Sequence, residues 1–488
     1  MIASVSSATL NGAIGCAVSV EVHVSNGLPS FTIVGLPDTA VREARDRVRA
    51  AILSSGLQWP MQRVTVNLAP SGVRKVGAGL DLPIAIGLLV ATEQLSQDCA
   101  EGFAFCGELG LNGSLRHVPG MIALADAITS SLLVIPMSDF HEAALVRGSS
   151  VRCAATLAEL AWILRRRSPW PDAPEPVPVA PPPKGFDLSD VRGQAMGRRA
   201  LEVAAAGRHH LLMIGPPGSG KTMLAERLPS LLPPLTLEEA LTVSRLHSAA
   251  GGVLLDGSLL ERAPFRAPHH QATIISLVGG GNLSLRPGEA SLATHGVLFL
   301  DELGEFPVAA IEALRQPLEE GVIRVNRLGG AVTFPAEFLL VAAMNPCPCG
   351  EGIYVGKCSC SDATRARYRR RISAPFLDRF DLIVPVSRPD PNELLSGVPG
   401  EKSATVAARV KAARTHVAER GGQNLVMARG ADELLASRLR EGALSARGFS
   451  KVTRVAQTLA DLAGEEMVSF EHVSEALALR AAGAVVTA

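Results

Sequence analysis

The amino-acid sequence predicts a multidomain α/β protein built from three folded regions. Between residues 168 and 185 the chain is dense in proline, which excludes a helix or a central strand there. Before this stretch, short strand patterns alternate with helical ones, as in an α+β or α/β domain. After it, apolar strand patterns separated by helical segments predict a doubly wound parallel sheet with helices on both faces. From about residue 393 onward the pattern is helical.

These changes of pattern set the predicted boundaries. They give an N-terminal region at 1–165, a Pro-rich linker at 166–185, a core region at 186–392 and a C-terminal helical region at 393–488. A chain of 488 residues is too long for one compact core, and domain sizes favour roughly two to four domains. Pro-rich linkers are extended, semi-rigid spacers, so we expect the N-terminal region to be flexibly attached.

Charge and hydropathy exclude some locations but few functions. Lys plus Arg and Asp plus Glu number 47 each, so any nucleic-acid-binding surface must be local. The first twenty residues carry no positively charged segment, which argues against a secretory signal. The longest apolar stretch, residues 82–91, is far shorter than the roughly 18 residues of a membrane span. We therefore expect a cytoplasmic protein without a membrane partner.

Hydrophobic periodicity places the individual elements. In the N-terminal region it predicts strands at 3–10, 17–25, 31–36 and 63–69, with helices at 39–56 and 81–95. In the core region it predicts buried strands at 209–215, 296–301 and 338–345, with a helix at 221–232. In the C-terminal region it predicts helices at 405–420, 431–442, 449–464 and 469–483.

The turn after the first core strand carries a complete phosphate-binding motif. The sequence GPPGSGKT fits the P-loop pattern GxxxxGK[ST], with an apolar strand before it and a helix after it. Its members are Gly215, Pro216, Pro217, Gly218, Ser219, Gly220, Lys221 and Thr222. Glycines let backbone N–H groups turn toward phosphates, and the helix N-terminus adds partial positive charge. Lys221 would reach the β- and γ-phosphates of ATP, and the Thr222 hydroxyl would ligate Mg²⁺.

Polar side chains at the ends of the next two strands complete a hydrolytic site. Asp301 and Glu302 close the strand 296–301, where carboxylates of a parallel sheet lie beside the ligand crevice. Asp301 is the candidate Mg²⁺-side carboxylate, and Glu302 can orient or deprotonate the attacking water. Asn345 ends the strand 338–345 and could reach the γ-phosphate or its water. The alternatives are a helix N-cap for the acidic pair and a turn residue for Asn345.

Several motifs together resemble a known class of ATPase. GPPGSGKT, LFLDE (298–302), Asn345 and APFLDRFDL (374–382) resemble an AAA+ module of the magnesium-chelatase and MCM-like type. The C-terminal helices resemble the lid that follows such modules. Residues 20–56 and 63–89, together with 266–303, resemble the ComM/YifB family more narrowly. The resemblance covers nearly the whole chain.

The resemblance implies a ring, with a hexamer as its expected size, and ATP held between subunits. Arg379 of LDRFD is similar to the arginine finger that reaches into a neighbour's site. Arg447 resembles the sensor-2 arginine that contacts the γ-phosphate in cis, with Arg454 as the second candidate. The alternatives are pairing of Arg379 with Asp378 or Asp381, and a solvated helix face for Arg447.

Two insertions bear on what such a ring would act on. Lys221 and Asp301 are 80 residues apart, whereas a βαβ unit needs only about 30, so residues 253–295 form an insert. Its Gly- and Pro-rich composition suggests a flexible hairpin-like projection outside the core. Residues 322–335 show a second hairpin pattern, with two strand-like runs around a Gly-containing turn.

In the AAA+ group that this chain resembles, both insertions project into the central pore. Arg286, Arg324 and Arg327 would then be placed for the phosphates of DNA, a contact independent of sequence. The alternative is a surface hairpin with solvated arginines. The densest basic run, five arginines within 365–371, also requires a neutralising partner: DNA, ATP of an adjacent subunit, or an acidic surface.

Four cysteines lie within fourteen residues. Cys347, Cys349, Cys358 and Cys360 form a CxC-x₈-CxC arrangement that could hold one Zn²⁺ tetrahedrally. The usual zinc spacing is CxxC, and a one-residue gap strains chelation by both members. Reduced thiols in a loop are therefore the equal alternative.

The N-terminal region resembles the Lon-protease catalytic fold (S5-type), but without its catalytic pair. The position of the serine nucleophile is occupied by Gly79, and that of the catalytic lysine by Ile122. Peptide hydrolysis by that route is unavailable without a nucleophile and a base. We expect a non-proteolytic scaffold or DNA-handling domain.

Together these resemblances imply a function. ComM/YifB-like proteins imply an ATP-dependent, ring-forming DNA helicase or translocase that promotes branch migration in homologous recombination during natural transformation, acting on single-stranded or branched DNA. The alternative is the motor subunit of a metal chelatase, which would remodel a partner protein and bind no DNA. The narrow N-terminal match, and a sequence without an integrin-like metal-binding domain, count against that alternative.

Overall fold

The computed structural model describes most of the chain. The described residues are 1–129, 131–166, 169–175, 185–252, 258–281, 285–327, 330–352, 358–395 and 399–481. None of the helices within these ranges is both long enough and apolar enough to cross a membrane.

The N-terminal region is a mixed seven-stranded sheet covered by helices. Its strands and helices, in chain order, are β1 (Ile2–Asn11), β2 (Ile14–Ser25), β3 (Ser30–Val34), α1 (Thr39–Ser54), β4 (Arg63–Ala69), α2 (Asp81–Ala91), α3 (Gln97–Ala100), β5 (Phe103–Phe105), β6 (Glu108–Leu109), β7 (Leu115–Arg116), α4 (Met121–Asp126), β8 (Leu132–Pro136), α5 (Phe140–Arg147), β9 (Val151–Ala154) and α6 (Leu157–Arg166). The sheet order is β3-β4-β2-β1-β5-β8-β9, and β6 pairs with β7 separately. Every second residue of β2 is buried from Val18 to Val24, as the alternation in the sequence predicts.

The core region is a parallel five-stranded sheet with a separate hairpin. Its elements are α7 (Ala195–Gly207), β10 (Leu211–Ile214), α8 (Lys221–Ala225), α9 (Leu237–Ala249), β11 (Phe265–Arg266), α10 (Ile274–Val278), α11 (Glu289–Leu292), β12 (Val297–Leu300), α12 (Val308–Glu312), α13 (Arg315–Glu320), β13 (Val322–Arg327), β14 (Gly330–Pro335), β15 (Leu339–Met344), α14 (Asp362–Arg369), α15 (Ala374–Leu377), β16 (Leu382–Pro385) and α16 (Pro391–Leu395). The order β11-β12-β15-β10-β16 is parallel throughout, and both faces are buried, which confirms a parallel α/β sheet.

The C-terminal region contains four long helices and one small strand pair. They are α17 (Ser403–Glu419), β17 (Val426–Met427), α18 (Arg429–Arg440), α19 (Ala446–Ala463), β18 (Met467–Val468) and α20 (Phe470–Ala478). Val410 and Leu459 share one hydrophobic core with Leu211 and Val341 of the sheet. These helices therefore pack against one face of the core sheet.

Two predicted elements differ from the structure. The helix predicted at 221–232 ends at Ala225 and is followed by a 3-10 turn, Leu228–Leu231, because Pro229 has no N–H to continue the helical ladder. The insert 253–295 is not wholly a projection: β11 within it is the edge strand of the sheet, where Phe265 stacks on Phe299 with ring centroids 5.9 Å apart. The hairpin predicted at 322–335 is present as β13 and β14.

The expected flexible attachment of the N-terminal region is wrong, because this region packs directly on the core. The Gly120 N–H donates to the Ser248 carbonyl at 3.0 Å, and the buried Ser248 hydroxyl donates to the Glu142 carboxylate at 2.6 Å. Arg245 pairs with Asp126 at 3.0 Å. Gly12, in the β1–β2 turn, lies against the β13–β14 hairpin so closely that a Cβ there would overlap Val332. Buried polar contacts of this kind fix the position of one region on the other.

Candidate nucleotide-binding site

The phosphate loop joins β10 to α8 and depends on three glycines. A Cβ on Gly215 would overlap the carbonyl oxygen of Val386, which lies directly after β16. Gly218 and Gly220 have φ angles of 74° and 87°, a left-handed conformation that favours glycine. The loop therefore adopts a backbone that other residues would strain.

Lys221 connects the loop to the end of the neighbouring strand. Its ammonium donates to the carbonyls of Gly215 at 2.8 Å and Pro216 at 2.9 Å, and to the Asn345 side-chain oxygen at 3.3 Å. Burial lowers the pKa of Lys221. Asn345 follows β15, which pairs with β10 in the sheet. The structure thus brings together the lysine and the asparagine that the sequence placed 124 residues apart.

Thr222 and Asp301 form the candidate magnesium site. The Thr222 hydroxyl donates to the Asp301 carboxylate at 2.6 Å, and the other Asp301 oxygen accepts from the Glu302 N–H at 2.8 Å. A hydroxyl and a carboxylate beside a phosphate loop are the ligands that Mg²⁺ uses with nucleotides. The two residues fit the ion, and we expect it to enter with the nucleotide.

Glu302 contacts a residue that the sequence analysis did not single out. Its backbone has a φ of 53°, and its carboxylate lies 3.1 Å from Nδ1 of His270. His270 follows edge strand β11, whose neighbour β12 leads into Glu302. The sequence signal was the position of His270 in the family-like stretch 266–303.

A cavity of about 530 Å³ opens beside the loop and has the size of a small-ligand pocket. The sequence analysis missed most of its lining residues, which are Ser189, Asp190, Val191, Arg192, Gln194, Gly218, Ser219, Gly220, Met223, Pro389 and Pro399. Gln194 spans the cavity wall: its side-chain amide donates to the carbonyls of Ser219 at 3.0 Å and Ser387 at 2.6 Å. We expect the adenosine part of ATP at this position, because it adjoins the phosphate loop.

Arg379 and Arg447 lie together in a different cleft, of about 440 Å³. No phosphate-loop residue is among those that line it. Arg379 pairs with Glu319, rather than with Asp378 or Asp381 as the alternative had it, and Arg447 lies 3.7 Å from Asp378. Burial lowers the pKa of Arg379, and the charge of Arg447 lowers it further. The position of Arg447 beside Arg379 favours a role toward a neighbouring subunit's nucleotide, and its contact with its own chain's nucleotide stays a prediction.

The candidate DNA-contacting arginines lie on the two insertions. Arg324, on β13, is exposed and pairs with Glu320; the side chain of Arg327 falls outside the described residues. Arg286 is exposed beside a cavity of about 840 Å³ between the N-terminal and core regions, which Arg74 also lines. Among the described residues, neither Arg74 nor Arg286 has a side-chain hydrogen-bond or ion-pair partner.

The basic run on α14 is only partly neutralised within the chain. Arg365 pairs with Asp362, and Arg371 pairs with Glu305 at 3.0 Å. Arg367 is exposed. The run therefore presents positive charge to solvent even though two of its members have internal partners.

The four clustered cysteines converge on one point. Their sulfur atoms all lie within 4.8 Å of one another. The Cys347 sulfur is 3.3 Å from that of Cys349 and 3.7 Å from that of Cys358, and the last two are 3.7 Å apart. The backbone N–H of Glu351 and the neighbouring Cys347 lower the pKa of Cys349 to about 5. The one-residue gap in each CxC therefore does not prevent both members from facing the same centre.

The N-terminal region offers no nucleophile at the position that the protease resemblance indicated. Gly79 is buried, and a Cβ there would come within 2.9 Å of Val118. Ile122 is buried on α4 in the apolar interior. A serine at position 79 would require Val118 to move.

Family models match three segments of the chain. The model described as "Magnesium chelatase, subunit ChlI" matches residues 187–394, and "Subunit ChlI of Mg-chelatase" matches 20–138. "Magnesium chelatase, subunit ChlI C-terminal" matches 400–480. With the phosphate loop and the parallel sheet, these matches define a magnesium-chelatase-like AAA+ ATPase.

Similar proteins span nearly the full chain. It is 43% identical over 482 residues to "Uncharacterized protein YifB" of Escherichia coli (strain K12), covering 95% of this chain and 94% of that protein. It is 43% identical over 484 residues to "Competence protein ComM" of Haemophilus influenzae, with coverage of 95% and 94%. Identity to "Uncharacterized protein Rv2897c" of Mycobacterium tuberculosis (strain H37Rv) is 41% over 498 residues, 98% of each chain. The chain belongs to the ComM/YifB family.

Proposed function

We propose that this protein is a cytoplasmic, ring-forming DNA motor that uses ATP hydrolysis to promote branch migration during homologous recombination in natural transformation. The observation that carries the proposal is the separation of two half-sites in one chain. The phosphate loop with Asp301 lies at one place, and the arginines Arg379 and Arg447 lie in another cleft. A full catalytic site then requires two subunits.

Within one subunit, each side chain of the first half-site has a role in hydrolysis. The loop N–H groups and Lys221 bind the phosphates, and Thr222 with Asp301 would hold Mg²⁺, which would neutralise developing charge. Glu302 orients the attacking water and accepts its proton, and Asn345 holds that water or the γ-phosphate.

The second half-site belongs to the neighbouring subunit's nucleotide. Arg379 supplies charge to the transition state from across the interface, and Arg447 adds a second cation beside it. Their ion pairs with Glu319 and Asp378 hold the two guanidiniums in this cleft until the interface forms. This arrangement favours a closed ring, and we propose a hexamer.

DNA is the proposed track because of the charge on the insertions and the name of one relative. Arg286, Arg324 and Arg327 lie on the two insertions and suit backbone phosphates. The relative from Haemophilus influenzae is a competence protein. The alternative function, a protein-remodelling motor of a metal chelatase, agrees with the family models but gives these arginines no role.

The rate of ATP hydrolysis with and without single-stranded and forked DNA tests the proposal. We expect strong stimulation by DNA, loss of turnover in Lys221→Ala, and retained DNA binding in that variant. The charge-reversed variant Arg324→Glu should weaken DNA affinity and leave DNA-free turnover unchanged. Hydrolysis that is indifferent to DNA would favour the protein-remodelling alternative, and full turnover in Lys221→Ala would refute the assigned site.

A further inference from the structure

We propose that Cys347, Cys349, Cys358 and Cys360 bind one Zn²⁺ and that this centre braces both sides of the nucleotide site. The centre lies in the segment that directly follows Asn345. The second part of this inference, that the centre stabilises the nucleotide site, rests on the proposed function. The first part, that the four cysteines bind zinc, does not.

The sulfur positions match a tetrahedral zinc site. A Zn–S bond of about 2.3 Å gives a tetrahedron whose edges are about 3.8 Å. The measured sulfur separations of 3.3, 3.7 and 3.7 Å lie close to that edge. They are far longer than the roughly 2.05 Å of a disulfide bond, and all four cysteines are free thiols. Zn²⁺ is the ion that four cysteines in this geometry favour.

Groups around the sulfurs suit a centre of net negative charge. Four thiolates and one Zn²⁺ leave two negative charges, which need donors and cations nearby. The backbone N–H groups of Glu351 and Ser359 lie near enough to the Cys349 sulfur to stabilise its thiolate, and the Gly350 N–H donates to the Cys347 carbonyl at 3.0 Å. Arg365 lies close enough to Cys347 and Cys358 for its charge to be coupled to theirs. These contacts are the surroundings expected of thiolates that ligate a metal.

On one side, the cysteine segment packs against the phosphate loop. Gly350, next to Cys349, lies so close to Pro217 that a Cβ on Gly350 would overlap the proline ring. Pro217 is part of the loop whose backbone would bind the phosphates. Holding the cysteine segment in place therefore fixes the outer wall of that loop.

On the other side, the centre holds the turn after Asp301 and Glu302. Helix α14 begins directly after Cys360, and its Tyr368 lies against Gly304, where a Cβ would overlap the phenol ring. Arg371, three residues after this tyrosine, pairs with Glu305 of the same turn at 3.0 Å. A metal at the start of α14 would thus limit motion of the catalytic carboxylates.

The zinc content of the purified full-length protein tests the first half. We expect about one zinc per chain by elemental analysis, because four thiolates complete one structural site. Cys349→Ser and Cys360→Ser should lose it. Cys16→Ser and Cys99→Ser are matched controls: partly exposed thiols outside the cluster that should retain it. A wild-type protein without zinc, or cluster variants that keep it, overturns the proposal.

Reversible removal of the metal from the wild-type protein tests the bracing and avoids variants that fold poorly. After treatment with a zinc chelator, we expect ATP turnover to fall by about tenfold, since misplacement of a site by about 1 Å can cost more than that. The nucleotide Kd should rise, and both should recover on adding Zn²⁺. Unchanged turnover and Kd in the zinc-free protein would overturn the bracing. If even the zinc-loaded protein binds no nucleotide, the proposed function fails, while the zinc content still decides the first half.

Discussion

At the scale of single residues, the contact between His270 and Glu302 offers a test of how the general base is controlled. His270, whose Nδ1 lies 3.1 Å from the Glu302 carboxylate, competes with the attacking water for that carboxylate, and removing this polar contact should be worth about 1 kcal/mol. We therefore expect His270→Ala to raise DNA-free ATP turnover by about fivefold and to reduce the further stimulation by DNA. Steady-state ATPase assays with and without DNA measure both quantities.

The neighbouring histidine provides the control for this prediction. The rings of His269 and His270 lie 4.1 Å apart, but only His270 contacts Glu302. His269→Ala should therefore leave DNA-free turnover near the wild-type value. A fall in turnover for His270→Ala would show instead that the histidine holds the base in its productive position.

The same residues show which parts of the site a sequence can reveal. Lys221 and Thr222 were predictable because phosphate binding needs them at fixed spacing within one loop, and Asp301 because an apolar strand precedes it. His270 and Gln194 were not predictable from spacing, because only the fold brings them to the carboxylate and the loop. The cleft that Arg447 shares with Arg379 was not predictable for the same reason, because the sequence gives the order of the helices, whereas packing decides which cleft they line.

At the scale of secondary-structure elements, Asp381 ties the C-terminal helices to the core sheet. Its buried carboxylate pairs with Lys451 at 3.0 Å and Arg454 at 2.7 Å, both on α19. Burial alone would raise the pKa of Asp381, but the nearby His209, 3.7 Å away, and the charges of Lys451 and Arg454 outweigh it and lower that pKa. The carboxylate directly precedes β16, so this cluster joins a sheet strand to the longest C-terminal helix.

Asp381→Asn should destabilise the protein by about 3 kcal/mol, because it leaves partly buried cations without a counter-charge. A lowered folded-state pKa stabilises above the unfolded value of about 3.9, and that stability is lost as pH falls below it. The difference in unfolding free energy between wild type and variant should therefore persist from about pH 8 to pH 5 and shrink only below about pH 4. Denaturant unfolding at several pH values measures it.

An exposed ion pair of the same region is the matched control. Glu433 and Arg429 are four residues apart on α18, with side chains 65% and 93% exposed. Glu433→Gln should change stability by less than about 0.5 kcal/mol, as exposed pairs do. Equal effects of the two substitutions would mean that Asp381 does not join the helices to the sheet.

The predicted element boundaries agree with the structure where the hydrophobic pattern is long, and they disagree where it is short. The four C-terminal helices lie within a few residues of their predicted positions, because many apolar residues mark the buried face of each helix. The two-residue strand β11 was missed because Phe265 and Arg266 carry no periodic signal, and its pairing with β12 is a tertiary contact.

At the scale of the whole molecule, the N-terminal region packs directly on the ATPase core. The Glu142–Ser248 contact and the packing of Gly12 on the β13–β14 hairpin place it against α9 and the second insertion. The sequence could not predict this packing. A Pro-rich linker indicates that a spacer is present, but it leaves open whether the two regions it joins are in contact. Arg74 and Arg286, one from each region, consequently face the same cavity.

The proposed division of the catalytic site between two subunits makes a prediction about mixtures. Arg379→Ala keeps the phosphate loop but lacks the finger, and Lys221→Ala keeps the finger but lacks a working loop. Each variant alone should lose turnover by about a thousandfold or more, as expected for these groups. In an equal mixture, about a quarter of the interfaces of a cyclic assembly pair an intact loop with an intact finger, so turnover should partly recover. ATPase assays after mixing measure the recovery.

Mixing Arg379→Ala with the double variant Lys221→Ala/Arg379→Ala should give no recovery, since no interface then has a finger. Recovery in neither mixture would mean that each chain hydrolyses ATP with its own residues alone, and the two-subunit site would have to be abandoned.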